Sequence, residues 1–400
     1  GLPLTFLDYN LVTGDSLAGI GTLDEVTEIL DVDQTSLGMF AGRQSVMNEV
    51  RDDIARLGDF ADASAEQVQE ARETRAEIED SLEQVRAQFD ILAASRIDED
   101  ISTESVSDTS VDDITTLSSY QRAQEVLEST NPLHFPAAFP EVFDGDSEGF
   151  NLIVGNPPWE KAKVERHEFW ARNYPGLRGL SSTDREARID ELEKNRPDLV
   201  EELEMEQREE EKRANILTEG PYPGIGSGDP DMYLAFSWRF WELTQSQGAV
   251  GVVLPRGAFS NAGSEPFRVK VMEEGTIQDL TLLKNRGNWA FEGMEPRFTI
   301  GLFSFQKSEP GPDPTIPIRG PYPDADSFDE GVSQPPYRFE VDRAKSWTDK
   351  ASFPALPADS ESIGVFKQMA DTPPLALNDE DQWRARPTSE LHTSQDKTKD

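Results

Sequence analysis

An amide, two prolines and an indole in succession, Asn156-Pro157-Pro158-Trp159, follow the apolar run Leu152-Ile153-Val154 and Gly155. Pro157 and Pro158 have no N–H to donate and a fixed φ, so a strand ladder ends here and the turn is stiff. The chemistry such a group suits is methylation of a planar amino group. An exocyclic amine on a ring is a weak nucleophile because its lone pair is delocalised. Two acceptors aimed at its hydrogens, the Asn156 side-chain oxygen and the Pro157 carbonyl, favour the pyramidal, more nucleophilic form. Trp159 adds a flat surface that stacks on the ring and fixes its plane. An Asn-Pro pair alone is in most proteins only a turn. Here strand, Gly, Asn, Pro-Pro and Trp stand in order.

A strand end must hold these residues. Leu152 to Val154 predict a buried strand stopping at Gly155, and open α/β sheets place ligands at the carboxyl ends of their strands. Ala249 to Leu254 is a continuous apolar run, which predicts a strand covered on both faces. Ile277 to Leu283 and Phe298 to Phe305 predict two more, with a crossover helix over Phe267 to Met272. Asp231 to Thr244 reads as an aromatic-rich helix ended at Gly248, with Tyr233 near the Gly/Pro-rich loop 221–229. That loop holds Gly224-Ile225-Gly226-Ser227-Gly228 but lacks the preceding strand and following Lys-Ser/Thr of a phosphate cradle. The loop 284–297 carries Trp289 and Phe291. Leu4 to Val12 predicts a weak strand ending at Gly14-Asp15-Ser16-Leu17. Those four residues also spell a serine-esterase nucleophile block, which needs an Asp three residues before a His; none of the three histidines has one.

The turn resembles the catalytic motif of S-adenosylmethionine-dependent amino-group methyltransferases, chiefly the DNA adenine-N6 class, and more closely the large type IIG restriction–modification and phage-defence methylases. The resemblance covers about 1–25 and 130–310. It includes Gly228-Asp229-Pro230-Asp231-Met232-Tyr233, the strand end Leu254-Pro255, Lys284-Asn285-Arg286, Phe291 and Arg297-Phe298. It implies an α/β fold with a class I (Rossmann-like) methyltransferase sheet, N-terminally incomplete, carrying long helical insertions. It also implies that Asn156, Pro157, Pro158 and Trp159 are catalytic and that Asp15 accepts from the amino group of the cofactor adenine. Trp159, Phe291 and, less directly, Tyr233 then bind an adenine flipped out of double-stranded DNA, with Trp289 an outside candidate for stacking. No metal is implied.

The family's Gly-rich turn for the methionine part of the cofactor does not precede Asp15. It is expected from a missing N-terminal segment or a partner subunit, and the chain alone is expected not to methylate. Target recognition is likewise expected outside it. No nuclease block is evident. An RNA base or a protein glutamine presents a similar amino group, and a non-catalytic DNA-binding or assembly subunit of a defence complex is a rival of another class.

Composition opposes the motif at first sight. The formal charge is −39, from 77 acidic and 38 basic residues, whereas DNA binding calls for basic patches. A halophilic host resolves this, because molar salt screens surface repulsion over ~3 Å. The chain has no cysteine, and His134, His167 and His392 lack metal-ligand spacing. No run is apolar enough to span a membrane, and a soluble, cytoplasmic protein is expected.

The domain organisation read from the sequence has four parts. Residues 1–25 form the cofactor side of the core and 26–130 a helical insertion with an acidic linker. Residues 131–307 form the catalytic core, with a charged helical insert at about 160–225. Residues 308–400 are a Pro/Asp-rich linker. Within the first insertion, residues 43–94 predict a helical pair, its second member with a coiled-coil seam at Ile78, Leu82, Val85, Phe89 and Leu92.

Overall fold

The computed structural model describes residues 11–30, Val50 and Asp53. It also describes 65–372, with gaps at 105, 107–108, 110, 129, 144–148, 226–229, 293–297, 349, 357–359 and 371. The first member of the helical pair lies almost wholly outside the described residues, as do Gly226 to Asp229, Arg297 and most of Leu4 to Val12.

The N-terminal layer consists of α1 (Leu23–Leu30), α2 (Ala65–Ser95), α3 (Ser118–Leu127) and the single turn α4 (Phe135–Ala138). All five residues of the seam on α2 are buried. The polar stretch 98–116 has few apolar residues, yet Ile101, Val106 and Ile114 all enter the same core.

The sheet begins with β1 (Phe150–Gly155). A three-helix insert follows: α5 (Arg166–Asn173), α6 (Ser182–Asn195) and α7 (Pro197–Glu219). Pro197 separates α6 from α7, because its ring cannot sit in a helix interior but suits the first turn. The insert has a small core of its own around Phe169, Trp170, Ile189 and Leu203. Next come α8 (Met232–Leu243), β2 (Thr244–Pro255), α9 (Glu265–Glu274), β3 (Thr276–Lys284) and β4 (Thr299–Gln306). The helix α8 gives way to β2 at Thr244, before Gly248. After β4 follow β5 (Thr315–Tyr322), α10 (Ala325–Val332), β6 (Tyr337–Glu340), α11 (Val341–Trp347) and α12 (Ser360–Ala370).

The result is a mixed six-stranded sheet in the order β1-β2-β4-β3-β5-β6. β1 pairs parallel with β2, while β4 runs antiparallel between β2 and β3. Four of the strands, β1, β2, β3 and β5, therefore point the same way and end on one edge. The main core fills around α8, α9 and the inner strands, with Trp238, Trp241, Phe267, Phe303 and Phe305 among its members.

Two expectations are corrected here. β1 is not a buried strand: Leu152 is 62% and Val154 79% exposed, because both point to a sheet face left open among the described residues, while Ile153 between them packs on the core side. And 315–340, read as linker, supplies β5 and β6. Pro317 and Pro321 disguise β5, since proline is a poor strand former, yet Ile316 and Ile318 are fully buried. No helix among the described residues is long and apolar enough to cross a membrane.

Candidate functional site

Asn156 leaves the carboxyl end of β1 exposed to solvent, Pro157 is buried, Pro158 exposed and Trp159 half-buried. The Trp159 indole N–H donates to the Val253 carbonyl at 3.3 Å, so the ring is tied to β2. Gly155 is fixed by packing. A Cβ there would stand 2.6 Å from the Phe240 ring, so only glycine lets α8 approach the end of β1.

The chain after Trp159 folds back on the start of α8. Lys161 and Asp231 form an antiparallel bridge, Met232 N donates to the Glu160 carbonyl at 3.1 Å, and Ala162 N donates to Pro230 O at 3.1 Å. Tyr233 is thus brought beside the turn in sequence register, but its ring is buried and its hydroxyl lies 3.4 Å from Ser264 Oγ. Burial pushes the Tyr233 phenol up. Burial likewise raises the Asp231 carboxyl against the opposing pull of Lys161.

On the same edge, the loop after β3 is built around Asn285, which is fully buried. Its Oδ1 accepts from Phe291 N at 3.0 Å and Ala290 N at 3.3 Å, and its Nδ2 donates to Phe291 O at 2.9 Å. Gly287 and Asn288 turn the chain with φ of 70° and 59°, the left-handed region that glycine and asparagine tolerate best. Phe291 is left half-buried with its backbone clasped. Trp289 differs: its indole donates to Lys284 O at 2.8 Å and its ring lies 6.0 Å from that of Phe328, so it anchors the loop to α10. The sequence motif Lys284-Asn285-Arg286 marks the spot, but the clasping role of Asn285 is visible only in the fold.

Asp15 is half-buried. Its Oδ1 accepts from Leu17 N at 2.9 Å and Ala18 N at 3.1 Å, closing its own turn. That turn is fastened to α8 and the sheet by a buried group that sequence reasoning missed. Arg239 of α8 donates to Glu25 at 2.8 Å, to the Gly19 carbonyl at 3.0 Å and to the Tyr222 hydroxyl at 2.7 Å. Tyr222 in turn donates to Leu17 O at 2.9 Å. A Cβ on Gly21 would stand 1.6 Å from the Arg239 guanidinium, so glycine there makes room for the ion pair. Burial alone would raise the Glu25 carboxyl, but Arg239, Arg96 and the Gly21 amide overcome it and hold the pKa at about 2. From the other side His134 Nδ1 accepts from Ile20 N at 3.0 Å while Nε2 meets Asp90 of α2 at 3.0 Å. The Asp15 turn is therefore clamped between the helical layer and the sheet.

No protein-family model and no curated protein matches the chain. Among solved structures it is similar to a modification subunit of a putative type I restriction enzyme from Vibrio vulnificus YJ016. The TM-score is 0.30 and the identity 14%, over 50% of this chain and 36% of that one. It is also similar to a chain from a study of complex assembly and conformational transition in a type I R-M system. There the TM-score is 0.31 and the identity 11%, over 56% of this chain and 42% of that one. The chain thus spans well under half the length of each.

Proposed function

We propose that this chain is the catalytic half of a DNA adenine-N6 methyltransferase using S-adenosylmethionine, of the restriction–modification or phage-defence kind. One observation carries the reading: Asn156 stands exposed at a strand's carboxyl end, followed by a rigid Pro-Pro turn and an indole tied to the next strand. In this mechanism the Asn156 side-chain oxygen and the Pro157 carbonyl accept from the two hydrogens of the flipped adenine's amino group. Trp159 and Phe291 hold the ring's plane, Trp159 from a position fixed by Val253 and Phe291 from the loop clasped by Asn285. Tyr233 stiffens the start of α8 beneath them.

S-adenosylmethionine supplies the methyl group when bound. Of the residues that would hold it, Asp15 fits the adenine end: its Oδ1 is engaged in its own turn, and Oδ2 is left to accept from an amino group. The methionine end requires a Gly-rich turn from another segment of the same protein or from a partner subunit. Among the described residues β1 is the terminal strand of the sheet, and its outer edge offers such a segment a place to pair.

Long-read modification mapping of DNA from cells carrying the complete gene tests the reading, beside an Asn156→Ala version. Modified adenines at one sequence, absent from the variant, are expected. Unmodified DNA in both strains, or equal modification in both, would sink it.

A further inference from the structure

The cations of this acidic chain are not distributed evenly between partners. In the insert, Arg166 meets Glu186, Asp190 and Glu193 at 2.7 Å each, and Arg172 meets Glu206 at 2.7 Å. In the core, Arg239 meets Glu25, and Arg319 meets Asp279 at 2.9 Å. Other cations, Lys194 and Lys212 of the insert among them, stand without a carboxylate partner among the described residues, and at the carboxyl edge of the sheet three such cations gather. Arg256, Lys284 and Arg286 have no carboxylate partner among the described residues.

Their placement follows from the strand register. Pro255 of β2 pairs with Ile300 of β4, and Ile300 pairs with Leu283 of β3. Arg256, just past the end of β2, and Lys284, the last residue of β3, are each the next residue beyond that line, on either side of β4. Their backbones stand ~10 Å apart, twice the inter-strand spacing. Arg286 follows in the loop that carries Phe291, and Asn156 leaves β1 on the same edge. Arg286 is exposed, and Arg256 and Lys284 are half-buried. Burial pushes Arg256 below its ordinary range, with no anion to offset it. Leaving a partly desolvated guanidinium unpaired in a chain of charge −39 costs stability that a bound anion would return. Glu160 and Glu292 lie near the same edge in sequence and make no ion pair with these cations.

We infer that Arg256, Lys284 and Arg286 form the phosphate-binding rim of this site, gripping the backbone of duplex DNA beside the flipped base. This rests on the DNA-methylation reading and adds to it the residues that hold the backbone. It also explains how so acidic a protein binds DNA. The edge that meets the duplex holds three cations with no carboxylate partner among the described residues, ready for phosphate in a chain of charge −39.

The test is binding of a fluorescein-labelled DNA duplex to the full chain by anisotropy across a salt series. The comparison is Arg256→Gln/Lys284→Gln/Arg286→Gln against Lys194→Gln/Lys212→Gln, which removes two cations from the insert. Each phosphate contact contributes about 0.9 to the slope of log affinity against log salt. The rim variant is expected to lose about 3 units of slope, with most of its low-salt affinity, and the insert variant none. The single Arg286→Gln change, at an exposed position, should lose about 1 unit without disturbing the fold. Equal slopes for wild type and both rim variants overturn the rim while leaving the DNA reading intact. A wild-type chain that binds structured RNA, or nothing, in place of duplex DNA overturns the DNA reading and the rim with it.

Discussion

Two regions of this molecule use the same chemistry, arginine against carboxylate, to different ends. In the insert of α5, α6 and α7, Arg166 holds three carboxylates with its side chain 36% exposed, and its partners reach 62%. Between the Asp15 turn and α8, Arg239 and Glu25 are 0% and 1% exposed. Water competes for the first set and cannot reach the second. Surface pairs are worth little even when numerous, whereas a buried pair is costly to break because the survivor is left charged and dry. The insert's pairs therefore keep a highly charged surface soluble, and the buried pair decides whether the Asp15 segment stays on the sheet.

The sharpest way to break that contrast is Glu25→Gln, which leaves the Arg239 guanidinium facing a neutral amide. A loss of ~3–5 kcal/mol is expected, read by denaturant unfolding, with the Asp15 turn exposed to proteolysis. The triple change Glu25→Leu/Arg239→Met/Arg96→Met, which removes both cations with their shared carboxylate, should be milder, since apolar replacement of a whole buried ionic group is often neutral. Equal costs for the single and the triple change would mean that packing, not charge, holds the segment.

Acid provides the next test. The folded Glu25 carboxyl sits at about 2 against an ordinary 4.5, so the unfolded chain binds its proton first as pH falls. Its contribution is fully present above pH 4.5 and is lost as pH falls from there towards 2. By linkage the gap corresponds to ~3 kcal/mol. The stability difference between wild type and Glu25→Gln should shrink through that window. A difference that stays constant from pH 6 to about 2 would place the carboxyl outside the ion pair.

A smaller effect belongs to Asn285. Asn285→Ala removes the acceptor for two half-buried amides and one donor, at ~1–3 kcal/mol. The loss should be local: hydrogen exchange at Ala290 and Phe291 accelerates while the strands keep their protection. Asn285→Asp keeps the acceptor and should hold both amides. Unchanged exchange in the Ala variant would show that Trp289, through Lys284 and Phe328, suffices to shape the loop.

What the sequence disclosed follows from how local each signal is. The turn after β1, the helix α8 and the strands β2 to β4 announce themselves within a dozen residues, because stiff prolines and apolar runs act on their own neighbourhood. The Glu25–Arg239 pair joins residues 214 apart, and no periodicity advertises it. The β5 strand was masked by its prolines. The exposure of Leu152 and Val154 is invisible to pattern reading, which sees only that they are apolar. At the site, Asn156 and Trp159 were legible as chemistry, whereas the service of Asn285 to Phe291 depends on a loop whose shape the residues alone do not specify.

The insert closes the comparison with the smallest effect. Arg166→Gln removes contacts to three carboxylates at once, yet two of the three are more than half exposed, and solvent already weakens each pair. The expected cost is at most ~1 kcal/mol. It should fall further in molar salt, where screening acts over ~3 Å, while the Glu25→Gln penalty should barely respond because its charges lie beyond the reach of ions. Measured side by side in low and high salt, the two variants separate surface solvation from internal fastening. A salt-insensitive loss of several kcal/mol for Arg166→Gln would instead make the insert a structural partner of the sheet, its charges organised around a buried contact with Trp170, whose indole already donates to Glu193.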